Sequence, residues 1–114
     1  MMNIKLKKTI WDTEETWETY KYEILLDGKK VGEAYTIINA EDDGPTYLED
    51  FTINREERNK GVGTQVLKML AEEAWDGIYM APTDKNNQRL YERLGEEMED
   101  APEVDQGFGV YIIY

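Results

Sequence analysis

The sequence predicts a single α/β domain in which helices pack against a mixed sheet, and three observations lead there. Strand-like and helix-like stretches follow one another in the order strands, helix, strand, helix, strand. Two early strand-like runs flank Asp27-Gly28, the composition of a hairpin turn. A glycine-bearing loop, Arg58-Asn59-Lys60-Gly61-Val62-Gly63, stands between a strand and a helix. At 114 residues the chain has the size of one domain with one core.

Taken in order, Asn3-Ile4-Lys5-Leu6-Lys7-Lys8 alternates apolar and polar residues and reads as a first strand, with residues 9–16 as a short acidic connection. Residues 17–26, rich in aromatics and threonine, turn at Asp27-Gly28-Lys29-Lys30 into residues 31–38, which gives the hairpin. A polar loop over 39–45 precedes a strand over 46–53, which delivers the chain to the glycine loop. The helix after it, over 64–75, is expected to bury Val62, Val66, Met69, Leu70 and Ala74, and Asp76-Gly77 ends it. A brief strand over 78–81 comes next. Pro82-Thr83-Asp84 then opens a second helix, with Asp84 as its cap and Leu90, Tyr91 and Leu94 on its apolar face, before Gly95 stops it. Residues 96–106, acidic and containing Pro102, read as an exposed irregular loop, and residues 108–114 close the chain as a strand.

Composition removes whole classes of chemistry. The chain has no cysteine and no histidine, which excludes disulfides, thiolate nucleophiles, histidine bases and histidine- or cysteine-ligated zinc; no metal is expected. Carboxylates, tyrosines, lysines and water are left for moving protons. Asp+Glu 25 against Lys+Arg 13 gives a net charge of −12, which opposes binding to nucleic acid and to anionic lipid. Amines and basic proteins are the better partners. Without a long apolar run or a leader-like opening, the expected location is the cytoplasm.

Against that acidic background, Arg55, Arg58 and Lys60 gather at the glycine loop. Glycines let the backbone turn its N–H groups onto a ligand, and the first turn of the following helix adds unpaired donors and a positive dipole end. The loop is therefore a candidate anion site. It is not a nucleotide-hydrolase phosphate loop, because Gly-Lys-Ser and Gly-Lys-Thr are both absent. The dinucleotide pattern Gly-x-Gly-x-x-Gly also fails, since Val66 holds its third position.

What the loop resembles is the acyl-CoA signature Arg/Gln-x-x-Gly-x-Gly/Ala of the GCN5-related N-acetyltransferases (GNAT), met at Arg58, Gly61 and Gly63. The second helix is similar too: the family's Asn-x-x-Ala-x-x-Leu-Tyr-x-x-Leu-Gly pattern is matched by Leu90, Tyr91, Leu94 and Gly95, while Asp84 and Asn87 depart from it. The resemblance implies a mixed, mostly antiparallel GNAT-like sheet and acetyl-CoA as acyl donor. It implies that backbone groups of Asn59, Lys60, Gly61, Val62, Gly63 and Thr64, with Arg58, hold the pyrophosphate. Ile53 and Asn87 would flank the pantetheine, and Tyr91 would protonate the leaving thiolate. Glu49 and Asp50 are the candidate bases for the amine; alternation along the strand sets them on opposite faces, and Glu49, on the side of Phe51 and Ile53, is the preferred one. Tyr79 is a further candidate to orient a water.

The family's helices after the first strand are expected to be reduced here, since only residues 9–16 are available, which leaves the acceptor cleft open or completed by a second subunit in a homodimer. An open, acidic cleft favours a protein lysine, an N-terminus or a polyamine-like amine, reached by direct transfer because no acyl-carrying nucleophile is evident. Two other readings stand beside the transferase: a non-catalytic acyl-CoA-binding or acidic interaction module, and an acidic mimic of nucleic acid. Compact acetyltransferases carried by phages or mobile elements belong to the same resemblance.

Overall fold

The computed structural model describes residues 3–39, 46–58, 60–74, 77–82, 84–98 and 109–113. Three long strands open the chain: β1 (Ile4–Glu14), β2 (Trp17–Leu26) and β3 (Lys29–Asn39). β1 and β2 meet at Glu15-Thr16, and β2 and β3 at Asp27-Gly28, whose φ values of 52° and 84° are both positive, as a tight two-residue hairpin turn with right-handed strand twist demands. Residues 9–14 are thus strand and not a connection. Their polar side chains are compatible with a strand because this half of β1 lies exposed at the sheet edge, paired only with β2 from Thr9 opposite Lys21 to Glu14 opposite Trp17. No helix stands between β1 and β2.

β4 (Thr46–Ile53) joins β3 antiparallel, and a single-turn helix at Arg55–Glu57 leads to α1 (Val62–Glu73). β5 (Ile78–Met80) then lies parallel to β4, an arrangement that needs a crossover, which α1 supplies. α2 (Lys85–Leu94), the two-residue β6 (Glu96–Glu97) and β7 (Tyr111–Ile113) complete a sheet of order β1-β2-β3-β4-β5-β7-β6 among the described residues, antiparallel except at β4–β5. The predicted α/β class and mostly antiparallel sheet are borne out. The predicted loop over 96–106 begins with strand β6 and otherwise lies, from residue 99, outside the described residues, as do the loop at 40–45 and the ends of the predicted last strand, Phe108 and Tyr114.

The core forms where α1 lies on one face of the sheet. Ile24, Ala34, Leu48 and Phe51 from the strands meet Val62, Val66, Leu67, Leu70 and Ala71 from the helix, with Tyr91 of α2 in the same cluster. Val66 and Leu67 are both fully buried, and each contributes on the order of 2 kcal/mol by leaving water. Met69 and Ala74, expected in this stripe, are only half-buried, while Leu67 and Ala71 take their place. The buried stripe keeps Val62, Val66 and Leu70 and is turned towards Leu67 and Ala71 relative to the expected one.

Candidate functional site

β4 and β5 stay together only from Thr46 opposite Ile78 to Leu48 opposite Met80. Tyr47 and Tyr79 close that paired end, ring edge to ring face, with centroids 5.5 Å apart. Beyond Leu48, β4 has no strand neighbour on the β5 side among the described residues, so that edge is free of strand pairing. The parting coincides with a bulge: Leu48 pairs with Thr36 and Asp50 with Tyr35, leaving Glu49 as an extra residue.

That bulge overturns the expected facing of the two carboxylates. Leu48, Phe51 and Ile53 are all buried and Glu49 and Asp50 both exposed, so alternation breaks there and Glu49 does not share the side of Phe51 and Ile53. Asp50 accepts a hydrogen bond from the Phe51 N–H at 2.9 Å. Its carboxylate also acts on Tyr91, whose pKa is raised first by burial and then by the negative charges of Asp84 and Asp50. Tyr91 is 3% exposed and stays protonated at all ordinary pH.

The start of α1 is built to receive an anion. Its N-cap, Gly61, takes φ +84°, a left-handed conformation that side chains resist, and supplies no capping group. No acidic residue lies in the first turn, so the leading N–H groups and dipole are not neutralised from within the helix. α2 differs. The Asp84 carboxylate caps it, accepting from the Asn87 N–H at 2.8 Å, which commits that backbone donor and leaves the Asn87 side chain as its contribution.

Between these elements lies a cleft of about 980 Å³. Phe51, Thr52 and Ile53 form one wall, Gly61, Gly63 and Thr64 a second, and Asp84, Asn86, Asn87 and Leu90 a third. Arg55, Arg58, Arg89 and Arg93 complete the lining, and these are all the arginines in a chain of net charge −12. Arg58 Nε donates to the Ile53 carbonyl at 3.1 Å, pinning the loop to the strand end and occupying a lone pair of that oxygen. Arg93 donates through Nη2 to Thr64 Oγ1 at 3.3 Å, tying α2 to the first turn of α1.

Six of the predicted donor-site residues therefore converge: Ile53, Arg58, Gly61, Gly63, Thr64 and Asn87 line one cleft. Val62 turns into the core at 1% exposure, and Lys60 pairs with Glu57 at 3.5 Å instead of facing the cleft. Asn59 lies outside the described residues. Tyr91, Glu49 and Asp50 do not line the cleft, although Leu90, the neighbour of Tyr91, does. Arg89 and Arg93 were not anticipated. The sequence signals only their spacing, four residues apart on the helix of the second motif, which sets them on one helix face without saying which element that face meets.

A parted β4–β5 pair, an uncapped helix start and a cationic cleft together make a site suited to an elongated anionic ligand. The acetyltransferase (GNAT) family profile matches residues 3–95, and the chain belongs to that family, whose members transfer acetyl groups from acetyl-CoA. Among solved structures, a GNAT-family protein from Bacteroides thetaiotaomicron, named as an acetyltransferase, superposes with a TM-score of 0.58 at 22% identity. The match covers 89% of this chain and 62% of that one, so the present chain spans less than two thirds of its neighbour. No curated protein matches the sequence.

Proposed function

We propose that the chain is an acetyl-CoA-dependent N-acetyltransferase that acts on a primary amine, either a protein lysine or N-terminus or a polyamine-like acceptor. The observation that carries this reading is the gathering of every arginine of an acidic chain on one cleft, beside an uncapped helix start and the free edge of β4. The residues fit the donor. The first-turn N–H groups of α1 and the arginines suit its phosphates, and the β4 edge from Glu49 to Ile53 suits its amide-bearing arm, which pairs there as a strand would.

In this reading Asp50 takes a proton from the acceptor ammonium, directly or through water, and the freed amine nitrogen attacks the acetyl carbonyl. Tyr91 donates its phenolic proton to the sulfur as the carbon–sulfur bond breaks, and the second proton lost by the attacking nitrogen, as the amide forms, passes back to restore the phenol. Asp50 is assigned ahead of Glu49 because its carboxylate is held in place by the Phe51 N–H, and its negative charge also acts on Tyr91. An exposed acidic carboxylate pair, Glu49 and Asp50, on a chain of net charge −12 favours a cationic acceptor.

Calorimetry with acetyl-CoA tests the donor half. Micromolar binding is equivalent to roughly 8 kcal/mol. It should be lost in Gly63→Glu, whose added carboxylate enters the cleft wall. An added Cβ at Gly63 meets Leu90 Cδ2 at 3.5 Å and Phe51 Cε1 and Cζ at 3.7 Å, ordinary contacts, so the variant is expected to remain folded. A folded native protein that ignores acetyl-CoA would refute the assignment and leave an acidic interaction module in its place.

A further inference from the structure

β1 is the edge of the sheet, and among the described residues nothing pairs with its outer side. Its sequence is polarised: Lys5, Lys7 and Lys8 occupy the first half, Asp12 and Glu14 the second. None of these five joins an ion pair among the described residues, where ion pairing involves Lys21, Lys30 and Lys60. Between the two halves stand Ile10 and Trp11, 65% and 58% exposed, the most exposed large apolar side chains among the described residues.

Lysines and bulges commonly blunt an edge strand against pairing. Here the same devices produce self-complementarity. Lys5 and Lys7 lie opposite Leu25 and Glu23 of β2, and the register shift between Ile10 and Asp12 sets Asp12 and Glu14 opposite Thr19 and Trp17. Those four partners are alternate residues of β2 and share a face, so the shift at Trp11 brings the acidic half of β1 onto the face that carries Lys5 and Lys7. Without it, Asp12 and Glu14 would stand on the face of Leu6 and Lys8.

We propose that two copies of this chain pair antiparallel through their β1 edges, continuing the sheet across a two-fold axis at Thr9. Lys8 then stands opposite Ile10 of the second copy, Trp11 is accommodated as the bulged residue, Lys7 meets Asp12, and Lys5 meets Glu14. The symmetry doubles each charge pair and buries Ile10 near the axis. A different protein offering an edge strand would have to reproduce this charge order, which a second copy does by construction.

Sedimentation across a micromolar concentration series should show a dimer that salt weakens. Lys5→Glu/Lys7→Glu and Asp12→Lys/Glu14→Lys should each raise the dissociation constant by about tenfold or more, through like-charge pairs directly opposite one another. An equimolar mixture of the two variants should form a heterodimer, an outcome that unfolded variants cannot give. Because the chain has no cysteine, Thr9→Cys alone supplies an independent reading: the axis position should oxidise readily to a linked dimer, whereas Lys68→Cys on exposed α1 should not. A native protein that remains monomeric, variants that dimerise as well as the native chain, or a Thr9→Cys no faster to link than the control would each overturn the interface.

Discussion

At the scale of single residues, the role proposed for Arg89 and Arg93 in the cleft is separable from folding. Both are exposed, both line the cleft, and the one described bond of the pair is the 3.3 Å contact from Arg93 to Thr64. Arg89→Ala/Arg93→Ala should therefore leave the melting temperature nearly unchanged and weaken acetyl-CoA binding about tenfold or more, since charge-assisted hydrogen bonds to phosphate contribute about 1.5–3 kcal/mol each before solvent screening. Calorimetry in low and high salt checks it; equal affinity for native and variant protein would remove the arginines from the donor site. Tyr91 behaves in the opposite way, being buried and hence shielded from the bulk. In the proposed reaction Tyr91→Phe keeps the packing and removes only the proton donor, so kcat should fall by about 10²–10⁴-fold while acetyl-CoA affinity holds. A variant that binds and turns over like the native enzyme would return Tyr91 to the status of a core residue.

At the scale of elements, α2 is set by its two ends. Asp84 caps the first turn through the Asn87 N–H, and Asp84→Ala should cost about 1 kcal/mol of stability. Gly95 ends the helix where a Cβ would sit 2.6 Å from the Ile112 carbonyl oxygen, a backbone atom that cannot swing aside. Gly95→Ala should therefore push α2 away from β7 and destabilise by about 1–3 kcal/mol. Denaturant titration of both variants gives the order, and a Gly95→Ala as stable as the native protein would show that α2 and β7 can separate freely. These ends were legible in the sequence because a cap and a stop are local chemistry: Asp84 and Gly95 announce themselves within one turn of the helix. The hairpin at Asp27-Gly28 and the bounds of β2 and β4 were legible for the same reason. What escaped was register. The bulge at Glu49 and the shift at Trp11 each depend on which residue a neighbouring strand presents, Tyr35 and Thr36 in one case and Thr19 and Tyr20 in the other, and no periodicity within the strand itself encodes that. The cleft was half legible on the same grounds, its loop read as a motif and Arg89 and Arg93 missed because only the fold brings α2 beside the first turn of α1.

For the whole molecule, two tyrosines link the sheet and both helices to alkaline pH. Tyr22 of β2 is 4% exposed and Tyr91 of α2 is 3% exposed; burial raises both pKa values, with Glu73 of α1 adding to the effect on Tyr22 and Asp84 and Asp50 to that on Tyr91. A phenol whose folded pKa lies above its unfolded value of about 10 stabilises fully below that pH, and the contribution is lost as pH climbs from there towards the folded value. With no histidine in the chain, side-chain titration should leave stability nearly flat from about pH 6 to 9. Above about pH 10 it should fall by up to about 1.4 kcal/mol per pH unit for each tyrosine, because the unfolded chain releases protons that the folded one retains. The net charge of −12 offers a competing cause, since every further deprotonation adds to a repulsion the compact state already bears. Salt separates the two. Screening relieves general repulsion but barely reaches a buried phenol. Denaturant midpoints from pH 7 to 12, taken at low and high salt, should keep the steep fall above pH 10, and Tyr22→Phe and Tyr91→Phe should each make it shallower. If salt abolishes the fall, or neither substitution changes its slope, alkaline unfolding belongs to the charge of the surface and not to the two phenols.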